Sequence, residues 1–273
     1  MSGSRTGTAA VYGVELRKLV AQPRIRVTAA VCLLGPLAFA VALAAQEALP
    51  RDSPFGRYAH ESGAAVSLVV LGFAGQWLLP VLIGLVAGET LSGEHASGTW
   101  STLLTRSVSR TQLVLGKAAA AATWSALVVL LLAVSATAGG LLTAGWHDLV
   151  TLTGVTVPPG RALGVVAVAW LSSLLPALGW TGVALLASSL SRRAGGGVLA
   201  TVVVGAVVQL ATLVPTAPGL QRVLLSAPTA AWHGLASRPA YTGPLLSGAL
   251  VSAVWALICV AGAVAVARSR DQA

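Results

Sequence analysis

Residues 88–117 read GETLSGEHASGTWSTLLTRSVSRTQLVLGK. They carry Glu89, Glu94, His95, Arg106, Arg110 and Lys117 in a chain of 273 residues that is only 9% charged and 56% hydrophobic. A soluble domain of ordinary composition has about a quarter of its residues charged, so the chain reads as an all-α integral membrane protein. Apolar runs of membrane length lie on both sides of the stretch, at 63–88 and 118–144. A polar insertion this long, with a short apolar core of its own, suggests a docking surface for a soluble partner more than a simple turn.

Working outward, a helix rises about 1.5 Å per residue, so about 20 apolar residues cross a 30 Å hydrocarbon core. Six runs qualify: 27–46, 63–88, 118–144, 162–190, 195–214 and 245–267. Pro36 and Pro176 lie inside the first and fourth. Residues 1–26 form a polar, basic segment ahead of the first run, which argues against a cleaved signal peptide. Within it Tyr12, Leu16, Leu19 and Val20 recur at helical spacing, with Arg17 and Lys18 on the other side. An amphipathic helix along the membrane surface is expected there, ended by Pro23. Residues 47–62 and 150–161 read as loops. Residues 216–244 contain Pro218, Pro228, Pro239 and Pro244 between apolar patches too short to span, and predict short helices at the outer interface. Residues 268–273 form a tail.

Six crossings place both termini on one side. Arg5, Arg17, Lys18, Arg24, Arg26, Arg106, Arg110, Lys117, Arg192, Arg193, Arg268 and Arg270 share that side; only Arg51, Arg57, Arg161, Arg222 and Arg238 fall on the other. By the positive-inside rule the termini and the 89–117 loop are cytoplasmic. The net charge of +9 is scattered at the ends of apolar runs. That suits lipid headgroups and offers no stripe for nucleic acid. Cys32 and Cys259 sit inside apolar runs and read as packing residues.

The sequence contains no G-x-x-x-x-G-K-[ST] loop, no H-E-x-x-H and no G-x-S-x-G, and its histidines are dispersed. No catalytic, cofactor or metal site is expected, and the chain is not read as an enzyme. The six apolar cores hold no Asp, Glu, Lys or Arg, whereas ion-driven carriers use such groups at midplane. Any ion coupling would fall to Ser67, Gln76, Ser172, Ser173 or Gln209. The energy for transport is therefore expected from outside the chain.

Within the central stretch, Gly98 and Thr99 can open a short helix on which Trp100, Leu103 and Leu104 form one apolar face. Glu94 precedes it, favourable near a helix N-terminus, and Arg106 and Arg110 follow it. Two readings stand: a knob that receives force from a soluble protein, or an interfacial helix resting on lipid.

The run SGEHASGTWSTLLTRSVSR followed by LVLGK resembles the first cytoplasmic loop of ABC-2-type transporter permeases. The resemblance rests on Glu94, Gly98, Thr99, Leu103, Leu104, Thr105, Val108, Ser109, Arg110, Gly116 and Lys117. Ser107 departs from it, standing where the family often has proline. The segment Glu15-Leu16-Arg17-Lys18-Leu19 is similar to the family's pre-membrane helix. The resemblance implies a half-size, six-span permease of a prokaryotic plasma membrane that pairs with a second permease subunit, identical or related. It also implies two copies of a separate P-loop ATPase, which would bind ATP and Mg. Loop 89–117 would then hold the coupling helix, contacting the ATPase through Glu94, Gly98, Thr99, Trp100, Leu103, Leu104 and Arg110. Residues 216–244 would gate the outer exit, with Pro215, Pro228 and Trp232 at the gate. The expected cargo is amphipathic or hydrophobic: a drug, antibiotic, peptide or lipid. A stand-alone secondary carrier and a membrane anchor or sensor scaffold remain as rivals. Gly72, Gly75, Gly84, Gly88, Gly179, Gly182 and Gly205 allow close helix packing, within one subunit or between two.

Overall fold

The computed structural model of the protein describes residues 6–47, 53–96, 109–213 and 218–269. Gln22 separates α1 (Thr6–Ala21) from α2 (Pro23–Ala44). Pro23 takes the first position of α2, where its missing N–H is no loss. The proline expected to end one helix therefore also opens the next. Pro36 is buried inside α2 without breaking it.

The second apolar run is broken. It comprises α3 (Gly63–Phe73), a π-helical turn (Ala74–Leu78) and α4 (Leu79–Ala87). Pro80 cannot donate to the carbonyl of Gln76, so the regular ladder cannot pass this point and a wider turn takes up the residue. A short helix α5 (Ser92–Ala96) follows. Next comes α6 (Arg110–Ala144), 35 residues long. At 1.5 Å per residue it measures about 50 Å, well beyond a hydrocarbon core of about 30 Å. Its polar first turns are thus a helical extension of the apolar run. Ser109 caps it: its hydroxyl accepts from the Gln112 amide while Gln112 Oε1 accepts from the Ser109 amide.

Beyond α6 the chain forms a small hairpin, β1 (Leu149–Val150) antiparallel to β2 (Thr156–Val157), where a loop was expected. The fourth run is α7 (Pro159–Ser172) and α8 (Leu174–Leu190), interrupted at Ser173. Pro176 leaves the Ser172 carbonyl without its helical donor, which accounts for the break. The remaining helices are α9 (Gly196–Leu213), α10 (Pro218–Val223), α11 (Ser226–Ala230) and α12 (Gly243–Ser269), with a 3-10 turn, Ala231–Ala236, after α11.

Five helical stretches, Pro23–Ala44, Gly63–Glu94, Arg110–Ala144, Pro159–Leu190 and Gly243–Ser269, are long and apolar enough to cross a membrane. The fold is that of a multi-pass, mostly helical membrane protein. α9 is apolar but shorter. It packs against α4 and α8, while α12 packs along α8 and both α2 and α3 pack on α6.

The small residues serve packing within this chain. A Cβ on Gly84 would meet Thr201 at 3.1 Å, on Gly179 Leu225 at 2.6 Å, on Gly182 Ala256 at 3.0 Å, and on Gly205 Pro80 at 2.9 Å. Gly72 faces Trp232, Gly75 faces Thr229 and Gly88 faces Val198. Backbones also touch where Gly63 meets Gly140: a Cβ on Gly140 would collide with the Gly63 carbonyl. Hydroxyls join the helices in the interior. Ser67 Oγ bonds Thr137 Oγ1 at 3.1 Å and accepts from Trp170 Nε1 at 3.1 Å, and Ser125 Oγ bonds Thr181 Oγ1 at 2.7 Å.

Candidate functional site

At the end of the bundle that holds α1, six charged side chains from four segments converge. α1 supplies Glu15 and Lys18, the start of α2 supplies Arg24, the segment after α4 supplies Glu89 and Glu94, and α6 supplies Lys117. Together with Leu19, Gln22, Pro23, Thr90 and Gly93 they line a cleft of about 770 Å³.

α1 brings its charges here because it is seated on α6. Gly116 is the contact point: a Cβ there would lie 2.5 Å from Val11 Cγ1. Tyr12 Oη bonds Thr123 Oγ1 at 3.1 Å. Glu15 and Leu19 are buried, whereas Val14 and Val20 are exposed at 52% and 69%. The helix expected on the membrane surface therefore turns its Glu15 face to α6. Val20, counted on the apolar face by spacing, points away.

Lys117 is 1% exposed. Its Nζ lies 2.7 Å from Glu94 Oε1 and 3.0 Å from Glu15 Oε2. Lys18 Nζ closes the ring, 2.8 Å from Glu15 Oε1 and 3.3 Å from Glu94 Oε1. Burial alone would push the Glu15 carboxyl up, but the Lys117 ammonium and the hydrogen bonds from Lys18 and Lys117 outweigh it and hold the carboxyl below its ordinary range. Burial likewise works against the charge on Lys18, and its hydrogen bond and attraction to Glu15, with the attraction of Glu94, hold that ammonium above its ordinary value. Beside the ring, Arg24 pairs with Glu89.

The backbone of the same segment is held from another side. Ser188 Oγ, on α8, accepts from the amides of Leu91 and Ser92, each at 3.0 Å. The segment after α4 is thus fastened to α1, α2, α6 and α8.

Of the residues singled out for coupling, Glu94 lies in this ring. Arg110 is set apart from it: its Nη1 donates to the carbonyls of Ala267 and Arg268 at 3.3 Å each, at the end of α12, and Arg268 donates back to Thr111 Oγ1. A cation suits the carbonyl end of a helix. Gly98, Thr99, Trp100, Leu103 and Leu104 lie outside the described residues.

At the opposite end, the segments after α2, α6 and α11 form a cap. Leu152 N donates to Ala236 O at 3.0 Å, and Arg238 N to Thr153 Oγ1 at 3.1 Å. Trp232 is fully buried, stacked on His233 at 4.0 Å and on Phe55 at 6.0 Å. Pro228 packs on α12 beside Gly248; Pro215 lies outside the described residues. Between the ends, Gln209 Nε2 on α9 donates to Gln76 Oε1 on the π turn at 3.4 Å, while the Ser172 and Ser173 hydroxyls bond back to Ala169 O.

The sequence profile described as ABC-2 family transporter protein matches residues 13–178, more than half of the chain. The chain belongs to the ABC-2 transporter family. It is a membrane permease, and permeases of this family generally work with an ATPase partner. No curated protein matches the sequence significantly. Every residue lining the charged cleft falls inside the matched region, while Ser188 falls outside it.

Spacing had singled out Glu94 but left its partners unassigned. A signal was present: Glu15 and Lys18 are three apart on a helix, and Lys117 opens a membrane-length apolar run, where an ammonium needs carboxylates nearby.

Proposed function

We propose that this permease is half of the membrane domain of an ATP-driven exporter, with stretch 89–117 receiving the work of a separate P-loop ATPase. The observation that carries the reading is the fastening of Glu89–Glu94 to α1, α2, α6 and α8 by ion pairs and by the Ser188 hydroxyl. A loop that only rested on lipid would need no such anchorage. A loop that transmits force into the bundle does, because the load must pass into the helices that move.

In this reading α9 is the sixth span. Its 18 residues extend about 27 Å, close to the thickness of the apolar layer. Both termini and the charged cleft are cytoplasmic, following the arginine and lysine distribution, in the plasma membrane of a prokaryote. Two permease subunits, identical or related, pair with two ATPase subunits that bind ATP and Mg. Gly98, Thr99, Trp100, Leu103 and Leu104 form the knob in the ATPase groove. Glu94 ties the knob to the bundle and Arg110 ties α6 to α12. The capped end, with Pro215, Pro228 and Trp232, is the outer gate, and the cargo is an amphipathic or hydrophobic compound.

Inverted membrane vesicles containing the permease and its ATPase should accumulate amphipathic dyes from a panel when ATP is supplied. Accumulation should stop with vanadate and survive collapse of the proton gradient. Uptake that follows the proton gradient without ATP would make the protein a carrier. An anchor would move no dye under either condition.

A further inference from the structure

We propose that Lys117 is a positioning residue that makes α1 part of the force-receiving unit, so that displacement of 89–96 moves α1 and α6 together. The inference rests on the coupling reading above and names the element that reading leaves out.

The geometry is a closed ring on three segments. Lys117 Nζ contacts Glu94 Oε1 at 2.7 Å and Glu15 Oε2 at 3.0 Å, and Lys18 joins Glu15 to Glu94 from the cleft side. Lys117 and Glu15 are the two buried charged side chains among the described residues, Lys117 the more deeply. A buried ammonium cannot be left behind by its carboxylates, because separating the pair strips it of counter-charge where water does not replace it. Glu94, Lys117 and Glu15 must therefore shift as a group.

Packing enforces the same unit. Gly116 precedes Lys117 and lets Val11 of α1 approach to where a Cβ would stand. Tyr12 bonds Thr123 about two turns further along α6. The other anchors of the segment, Arg24–Glu89 and Ser188, bypass α1. Only the Glu15–Lys117–Glu94 ring, with Lys18, draws α1 in among the described contacts. α1 in turn runs into α2 through Gln22 alone, so a moving α1 pulls on the start of α2 beside the direct Arg24–Glu89 tie.

The test uses the full permease with its ATPase in lipid nanodiscs, read by amide hydrogen exchange with and without vanadate-trapped ATP. In the wild type, peptides covering 6–21 and 89–96 should both change exchange on trapping. Lys117→Met alone strands Glu15 and can fail to fold. The triple variant K117M/E15Q/K18Q removes both buried charges and the Lys18–Glu94 contact that would otherwise still tie α1 to the segment. In that variant 89–96 should still respond and the ATPase should still co-purify. Residues 6–21 should lose their response, and permease-dependent ATP hydrolysis should fall about tenfold. A wild type in which 89–96 responds and 6–21 does not would overturn the inference, as would a triple variant that behaves like the wild type. No response in either segment of the wild type would overturn the coupling reading itself, and this inference with it.

Discussion

Glu15 carries the clearest pH signature in the cleft. Its carboxyl titrates below its ordinary range because Lys117 and Lys18 outweigh the effect of burial. A carboxyl whose folded value is depressed adds stability above its unfolded value and loses that contribution as the pH falls through the folded one. Glu15→Gln should therefore lower the melting temperature of the detergent-solubilised protein at neutral pH, a loss of about 2 kcal/mol for a hydrogen bond to a charged group. The gap to wild type should hold down to about pH 5 and close below the ordinary glutamate value of about 4.3. A gap that persists unchanged at pH 3 would contradict the ring of charges. Lys18 acts at the other limit: raised above its ordinary value, it keeps its contribution through neutral pH and loses it only in strong alkali. Glu94 was legible in the sequence as a charge beside an apolar knob. Its pairing with Lys117 and Lys18 was not, because spacing along one segment says nothing of which distant helix lies across from it. Trp232 shows the same limit, since its place against Phe55 depends on two segments distant in sequence meeting.

Prolines mark two of the helix breaks, although Pro36 leaves α2 unbroken. Pro80 and Pro176 each remove one donor from a membrane-length helix, and each helix is interrupted within a few residues upstream. The start of α6 was also legible, as Ser109-x-x-Gln112, although the apolar run alone begins at 118 and hides it. The surroundings of α1 were not legible: its periodicity defines a face, and lipid and α6 satisfy an apolar face equally. The pairing of α3 with α6 depends on backbones in contact at Gly63 and Gly140. Gly140→Val should cost about 3 kcal/mol through overpacking. Gly164→Ala, on α7 with nothing near its Cβ position, should be neutral or slightly stabilising. Melting curves of the two variants in one detergent decide it; equal stability would mean that the close approach is absent.

The assembled bundle has a charged cleft at one end, a hairpin-and-helix cap at the other, and hydroxyl and amide pairs between. Its mostly helical, membrane-spanning class follows from composition and run length, because a bilayer leaves helices few alternatives. The number of crossings follows less directly, since α9 is short enough that length alone does not decide. In the function proposed for the bundle, the cleft end takes its energy from a separate ATPase. That dependence is tested most directly by purifying the tagged permease in a mild detergent, after crosslinking, and identifying the proteins bound in stoichiometric amount. A P-loop ATPase retained by the wild type and lost on changing Gly98 and Leu104 is the expected result. A well-folded permease that carries no P-loop ATPase, crosslinked or not, would contradict the account.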